Sequence, residues 1–560
     1  MVSVQWTRSD ADPVPARPTP RLRAAPRARI PALAAAIVLA GLPAWAAAQA
    51  SSPAPADGSE LRPCRIEGVS TEVQCGRISR PLDPAQPQGR RIDVHFVVVP
   101  ALARNKQPDP VVLLAGGPGQ SAISLAGMVM PRLSRLNYRR DLVFIDQRGT
   151  GRSAPLDCRD DTPQTLKEAL EPGRRERLLD ECRQRLQTLP YGDLRQFTTV
   201  IAMQDFDAVR QALAVPSWNL LGASYGTRAA LDYQRQFPQH VRRSILDGVA
   251  PPDMVLPVSF SQDSQAALDA VFSHCESDAA CRTRYPNLRA DWQALLRSLP
   301  RTVTLQHPVT LRSEEVTMTR ETLMSAVRPP LYSPTLASAL PEALHEASQG
   351  RFNALGALTG IMSGGGAARL YTGMHFSVIC AEDAPRLAAS TDAPGGDFGT
   401  LDRDQYARVC KAWPRGEVPA AFYTLPPAQH PVLLLSGGAD PATPPRHGAR
   451  VAQALGAQAR HVVVPQAGHG VALSLSCMQD VLFRFIDAKE DADALKVDAT
   501  CAERIPRPTV FLPPTPETVE AAASAARAAD RARDARSAAP ASSFVPSSTA
   551  VVPSSRETAR

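Results

Sequence analysis

Much that would place this chain in another class is missing from it. No two cysteines have the C-x-x-C spacing of a structural zinc site, and no tight His/Glu cluster stands anywhere in the sequence. Neither a metal nor a cofactor is therefore expected. There is no zinc-finger spacing, no dense basic helix and no internal repeat. The formal net charge is +7, but the arginines of residues 1–50 and 516–560 supply most of it, which leaves about +2 on the remainder. Such a surface gives little reason to bind nucleic acid. Long apolar runs are almost absent: one stretch near residue 35 approaches a membrane span, which excludes a multi-span membrane protein. Hydrophobic residues at 44% and charged residues at 21% exclude a mostly disordered chain, even with 53 prolines. At about 150 residues per domain, 560 residues suggest three or four domains, or fewer in an enzyme with a large insertion.

What is present begins with an export signal. Residues 21–29 are basic (RLRAAPRAR), and Ile30–Ala48 is a short apolar run ending in small residues. Residues 1–50 read as a signal peptide cut after Ala50 or Ala46. Pro31 and Pro43 make the run a poor permanent span, so no stable membrane insertion is expected after cleavage. The expected destination is the periplasm or the medium. All ten cysteines follow the cleavage point, as an oxidising compartment would have it. Their separations alternate short and long. The expected pairs are sequential: Cys64–Cys75, Cys158–Cys182, Cys275–Cys281, Cys380–Cys410 and Cys477–Cys501. Ten cysteines allow many other connectivities.

Beyond the Pro/Ala/Ser stretch 51–63, apolar strands alternate with helical patterns. Strands are predicted at Arg91–Pro100, Pro110–Ala115, Arg140–Asp146, Trp218–Leu221 and Val241–Leu246, with helices at Gln196–Leu213 and Tyr225–Phe237. Strands apolar on both faces need helices on both faces, which is the layered α/β class. Residues 51–254 thus form the first part of an α/β core. From about 255 to 425 the pattern is mainly helical and reads as an inserted cap. Strand patterns return at Pro431–Leu435 and His461–Val464, so 426–505 form the C-terminal part of the core. Residues 513–560 are a Pro/Ala/Ser-rich tail expected to be disordered.

Chemistry enters at Gly222-Ala223-Ser224-Tyr225-Gly226, a G-x-S-x-G sequence between a predicted strand and a predicted helix. Small residues at Gly222 and Gly226 permit a sharp turn that holds the Ser224 hydroxyl above the sheet. A serine nucleophile needs a base, and the base needs an orienting acid. Asp440 follows the PVLLL strand and His469 follows the next one, each at the carboxyl end of its strand, where open α/β sheets bind ligands. The order Ser, Asp, His is that of the α/β-hydrolase architecture. Tyr225 N–H and Gly117 N–H, the latter from the loop Gly116-Gly117-Pro118-Gly119, are expected to form the oxyanion hole. Arg148 reads as a brace for the loop after the third strand, through a carboxylate.

The chain resembles the secreted tripeptidyl aminopeptidase and proline iminopeptidase group of serine peptidases. The resemblance rests on Gly116-Gly117-Pro118-Gly119, on Asp146-Gln147-Arg148-Gly149-Thr150-Gly151-Arg152-Ser153, on Gly222 to Thr227, on Gly438-Ala439-Asp440 and on Gly468-His469-Gly470. It covers about residues 60–505 and implies an α/β-hydrolase fold with a mainly helical cap. Where the iminopeptidases open the glycine-proline loop with histidine, this chain has Ala115. The implied activity is release of short N-terminal pieces from peptides with a free N-terminus through an acyl-enzyme. An esterase, lipase or amidase using the same residues is the alternative. A substrate ammonium requires a carboxylate, and Glu382 and Asp383 are the expected amine-binding pair.

Overall fold

The structure, a computed structural model, describes residues 61–158, 165–307, 310–363, 369–514, 520 and 523–531. The signal peptide expected at residues 1–50 and most of the tail after 513 lie outside the described residues; within that tail, 523–531 are helical.

The strands in chain order are β1 (Arg62–Cys64), β2 (Val73–Pro81), β3 (Arg91–Val99), β4 (Val111–Leu114), β5 (Leu142–Ile145), β6 (Trp218–Ala223) and β7 (Val241–Asp247). A hairpin of β8 (Arg301–Gln306) and β9 (Ser313–Met318) lies in the insertion, and β10 (Val432–Gly437) and β11 (Ala459–Val464) follow it. All but the hairpin join one sheet of order β1-β2-β3-β5-β4-β6-β7-β10-β11. Pairing is antiparallel from β1 to β5 and parallel from β5 to β11.

The parallel strands are apolar on both faces because both faces are covered. Val112, Leu114, Leu220, Leu246 and Leu434 meet Phe206, Val209 and Tyr233 on one side. Val111, Leu113, Leu221, Ile245 and Leu433 meet Leu133, Leu136, Val481 and Phe485 on the other. Each such side chain contributes about 1.5–3 kcal/mol by leaving water. The sheet therefore sits as a rigid slab with helices on both sides.

The insertion between β7 and β10 does not pack as one unit. Residues from Ala267 to Leu355 gather around Trp292, Phe272 and Leu344 in a core of their own. The helix Thr372–Glu382 instead joins the sheet's core through Met374, Phe376 and Val378, beside Cys410 and Trp413. The hairpin β8–β9 and strands β1 and β2 are elements that the sequence pattern did not signal.

The cysteines form five bonds in the expected sequential order. Arg148 is braced as expected, and the carboxylate is that of Asp205. Its Nε and Nη2 donate to Asp205 at 2.7 and 2.9 Å, and Nη1 donates to the carbonyls of Leu82 and Gln196. Both side chains are buried.

Removing one partner of such a pair leaves an uncompensated buried charge, which costs more than losing both. Asp205→Ala is expected to lose about 3–5 kcal/mol of unfolding free energy, read from urea denaturation. A loss under about 1 kcal/mol, the size of an exposed ion pair, would contradict the burial argument.

Candidate active site

Ser224 stands where β6 turns into the helix Tyr225–Gln236, with φ 56° and ψ −123°. An L-residue held there is strained by about 1–3 kcal/mol, and the surroundings must enforce it. They do so by close backbone approach. A Cβ on Gly226 would lie 2.0 Å from the Leu114 carbonyl oxygen, and one on Gly222 would lie 2.5 Å from that of Gly226. Only glycine allows the helix to start this close to β4 and β6. Ser224 N–H donates to the Asp247 carbonyl at 2.8 Å, and the Ser224 carbonyl accepts from Thr227 Oγ1 at 2.6 Å. The helix start also directs its first amides, Tyr225 N–H among them, to a point above the turn without intrahelical acceptors.

His469 and Asp440 meet two strands away. His469 Nδ1 donates to Asp440 Oδ2 at 2.7 Å. Asp440 is buried, and its remaining capacity is filled by the Ala442 and Thr443 amides and by Thr443 Oγ1, at 2.8–2.9 Å. Burial alone would raise the Asp440 carboxyl, but the imidazole charge and these donors outweigh it and hold it below the usual carboxylate range. Burial would lower His469, and the Asp440 charge reverses that and raises it above an ordinary imidazole. With Nδ1 committed to the carboxylate, Nε2 is the basic atom. Gly248, directly after β7, packs close to the imidazole: a Cβ there would lie 3.2 Å from His469 Cε1.

The glycine-proline loop lies against the nucleophile, since a Cβ on Gly116 would come within 3.3 Å of Ser224 Cβ. Gly117, with φ 111°, is the next residue, and a Cβ there would meet Leu370 of the insertion at 2.8 Å. The insertion holds this loop closely. Tyr371 N–H donates to the Gly119 carbonyl at 2.8 Å, and His375 Nδ1 lies 3.1 Å from the Pro118 carbonyl oxygen. Tyr406 OH is 2.8 Å from His375 Nε2. Burial pushes His375 down to about 4, so it is neutral and donates from Nδ1.

Glu382 and Asp383 are not available as an amine pocket. Both carboxylates are fully buried and turn to Arg228, one turn into the nucleophile helix. Arg228 Nη1 and Nη2 donate to Asp383 at 2.9 and 3.2 Å, and the amides of Leu256 and Thr199 donate to Asp383 and Glu382. The physical reason is the helix they end. Nine of its eleven residues are buried, so its acids are carried into the interior and require a counter-ion. Burial raises Glu382 to about 7 despite Arg228. Their contacts brace the site instead. Thr199, which Glu382 holds, lies with its hydroxyl 2.6 Å from the Tyr225 hydroxyl, and Gln147 donates to that hydroxyl at 3.0 Å.

Three contributors escaped the sequence. Thr443 joins the acid and the base, with Oγ1 2.8 Å from Asp440 Oδ2 and 3.1 Å from His469 Nδ1. Tyr332 of the insertion accepts the His469 amide on its carbonyl at 2.9 Å and sets its ring edge-on to the imidazole, centroids 5.0 Å apart. Asp247 ends β7 between them. Only Asp247 carried a sequence signal, an acid closing an apolar strand. The assembly supplies a hydroxyl on a strained turn, an imidazole with a polarising carboxylate and a loop of backbone amides: the parts that acyl transfer to serine requires.

The ion pair gives a titration prediction. His469, raised in the fold, contributes stability that is full below about pH 6.5 and lost as pH rises through its folded value. Asp440, depressed, contributes above about pH 4 and fails as pH falls through its folded value. Asp440→Asn leaves burial of the imidazole unopposed by its partner. The His469 pKa, followed by NMR of the ring, is expected to fall below the ordinary imidazole value; an unchanged value would deny the pairing.

Comparison with known proteins bears on the fold and the class of enzyme. The serine protease Hip1 of Mycobacterium tuberculosis is 26% identical over 441 residues, covering 71% of this chain and 82% of that one. A tripeptidyl aminopeptidase of Streptomyces coelicolor is 28% identical over 277 residues, 44% of this chain and 50% of its own. The crystal structure of a proline iminopeptidase from Mycobacterium smegmatis aligns with 75% of this chain and 100% of its own, at 15% identity and a TM-score of 0.31. A family model for the alpha/beta hydrolase fold matches residues 109–474, more than half of the chain. The chain belongs to the alpha/beta hydrolase fold family and is a serine hydrolase of ester or amide bonds.

Proposed function

We propose that this serine hydrolase is an exported peptidase that releases short N-terminal pieces from peptides with a free N-terminus. The observation that carries the reading is the bonded His469–Asp440 pair at the same end of the sheet as the strained Ser224 turn. Ser224 Oγ attacks the scissile carbonyl carbon while His469 Nε2 takes its proton. The tetrahedral oxyanion is met by the Tyr225 and Gly117 amides. His469 then returns the proton to the leaving amine, the C–N bond breaks, and water attacks the acyl-enzyme by the same route. Asp440 stays ionised throughout and stabilises the imidazolium.

Peptide specificity is supported by the likeness to Hip1 and to a tripeptidyl aminopeptidase. Export is supported by five disulfides, which persist in oxidising compartments. The insertion and residues 166–176 together line a cleft of about 670 Å³, walled by Leu305, Met318, Phe352 and Leu355, and neither Ser224 nor His469 lines it. Glu171 and Glu176 line the cleft but are paired with Arg177 and Arg408, and Glu321 also lines it.

A chromogenic panel tests the proposal: free-amine tripeptide anilides, their amino-blocked forms, and simple p-nitrophenyl esters. Free-amine peptides are expected to exceed blocked ones at least tenfold in kcat/KM, about 1.4 kcal/mol of recognition. Rapid ester turnover with no preference for a free amine would make the protein an esterase. Ser224→Ala is expected to lower kcat by about 10⁶-fold on every substrate cleaved.

A further inference from the structure

We propose that Asp247 is a positioning residue for the reaction, clamping the loop that carries His469 to the turn that carries Ser224. The inference rests on the Ser224–His469–Asp440 reading above and adds a fourth member to it.

Asp247 is the last residue of β7, and β7 runs between β6 and β10 in the sheet. Its main chain and its side chain act on different partners. The carbonyl accepts the Ser224 amide at 2.8 Å. The carboxylate accepts two amides just beyond His469, Val471 N–H on Oδ1 and Ala472 N–H on Oδ2, both at 2.9 Å. The next residue, Gly248, donates to the Leu435 carbonyl of β10 at 2.9 Å and approaches the imidazole so closely that a Cβ there would lie 3.2 Å from His469 Cε1. One dipeptide thus ties the nucleophile turn, the acid strand and the base loop.

The His469 loop needs such a tie. It is flanked by Gly468 and Gly470, the latter with φ 79° and open space around it, so its own backbone restrains it weakly. On its N-terminal side the loop is held by the Tyr332 carbonyl of the insertion. On its C-terminal side the Asp247 carboxylate holds it, with Ser474 Oγ donating to the Gly470 carbonyl at 2.6 Å.

A carboxylate at this place is costly. Asp247 is 4% exposed, and an isolated buried charge is expelled or neutralised. Two amide donors and two neighbours act on it. From the β11 side His469 attracts its charge, and from the β10 side Asp440 repels it, while the facing end of β6 contributes only the neutral Ser224 amide. Burial is the largest influence and raises the carboxyl to about 6. Asp247 also adds negative charge near the imidazole, and so favours the imidazolium that forms in the transition state. An asparagine there keeps the size but loses this charge and presents an NH2 to one amide.

The test compares wild type, Asp247→Asn and Asp247→Glu on whichever panel substrate the wild type cleaves best. Asp247→Asn is expected to lower kcat by about 10²-fold, the usual cost of a misplaced reacting group, with KM nearly unchanged. The acid limb of kcat/KM should steepen below about pH 6 in the wild type, where Asp247 takes a proton. In Asp247→Asn that limb should move to lower pH and lose the extra steepness. Asp247→Glu, which keeps the charge, should restore part of kcat and the steep limb.

A wild-type rate and limb in Asp247→Asn, with Ser224→Ala inactive, overturns the inference. So does a reduced kcat with an unshifted limb, which would make Asp247 merely structural. An active Ser224→Ala would instead defeat the triad reading itself. Should Asp247→Asn not fold, hydrogen exchange in the wild type decides. Loss of protection at Val471 and Ala472 from pH 7 to pH 5, corrected for intrinsic rates, is expected; unchanged protection overturns the clamp.

Discussion

Everything at the site depends on four parallel strands that end side by side. Ala223, Asp247, Leu435 and Val462 form one row across β6, β7, β10 and β11. Neighbouring strands lie about 4.8 Å apart, so the loops that leave this row start within one short span of each other. Ser224 is the next residue after the row on β6, and Asp440 and His469 follow within a few residues on the outer two. Residues 224, 440 and 469 are remote in sequence, and the insertion separates the first from the others. The sheet removes that separation, and of these three residues only Ser224 has a positive φ.

The insertion is more than a cover. It contributes the carbonyl of Tyr332 to the His469 loop and the imidazole of His375 to the glycine-proline loop. It also sends Glu382 and Asp383 to Arg228, on the helix that begins at the nucleophile. Each of the proposed reacting parts is therefore held from two sides, by the sheet and by the chain inserted into it. Buried ion pairs at such places stabilise little in net terms, but losing one partner is severe, so they fix geometry rather than add stability.

Most of the sheet was legible because parallel strands covered on both faces are apolar throughout, as in VVLLA, LVFI and PVLLL. Ser224, Asp440 and His469 were legible as candidates because each follows such a strand in a glycine-containing turn. Strands β1 and β2 were not, because they are mostly half-buried or exposed and include arginine and glutamine. Glu382 and Asp383 were misplaced for a related reason. They end a helix that is surrounded by protein, and nothing local announces the distant Arg228. Tyr332 and Thr443 act through contacts across the fold that no local pattern encodes. Asp247 carries a partial signal, an acid closing an apolar strand, but its hold on the Val471 and Ala472 amides depends on a loop 224 residues away.

The most direct measurement of the central claim is covalent trapping with a fluorophosphonate, followed by intact-mass and peptide mass spectrometry. The account predicts one adduct per chain, located on the peptide containing Ser224, and its disappearance in His469→Ala while that variant remains folded. An adduct on another serine, or equal labelling without His469, would contradict it.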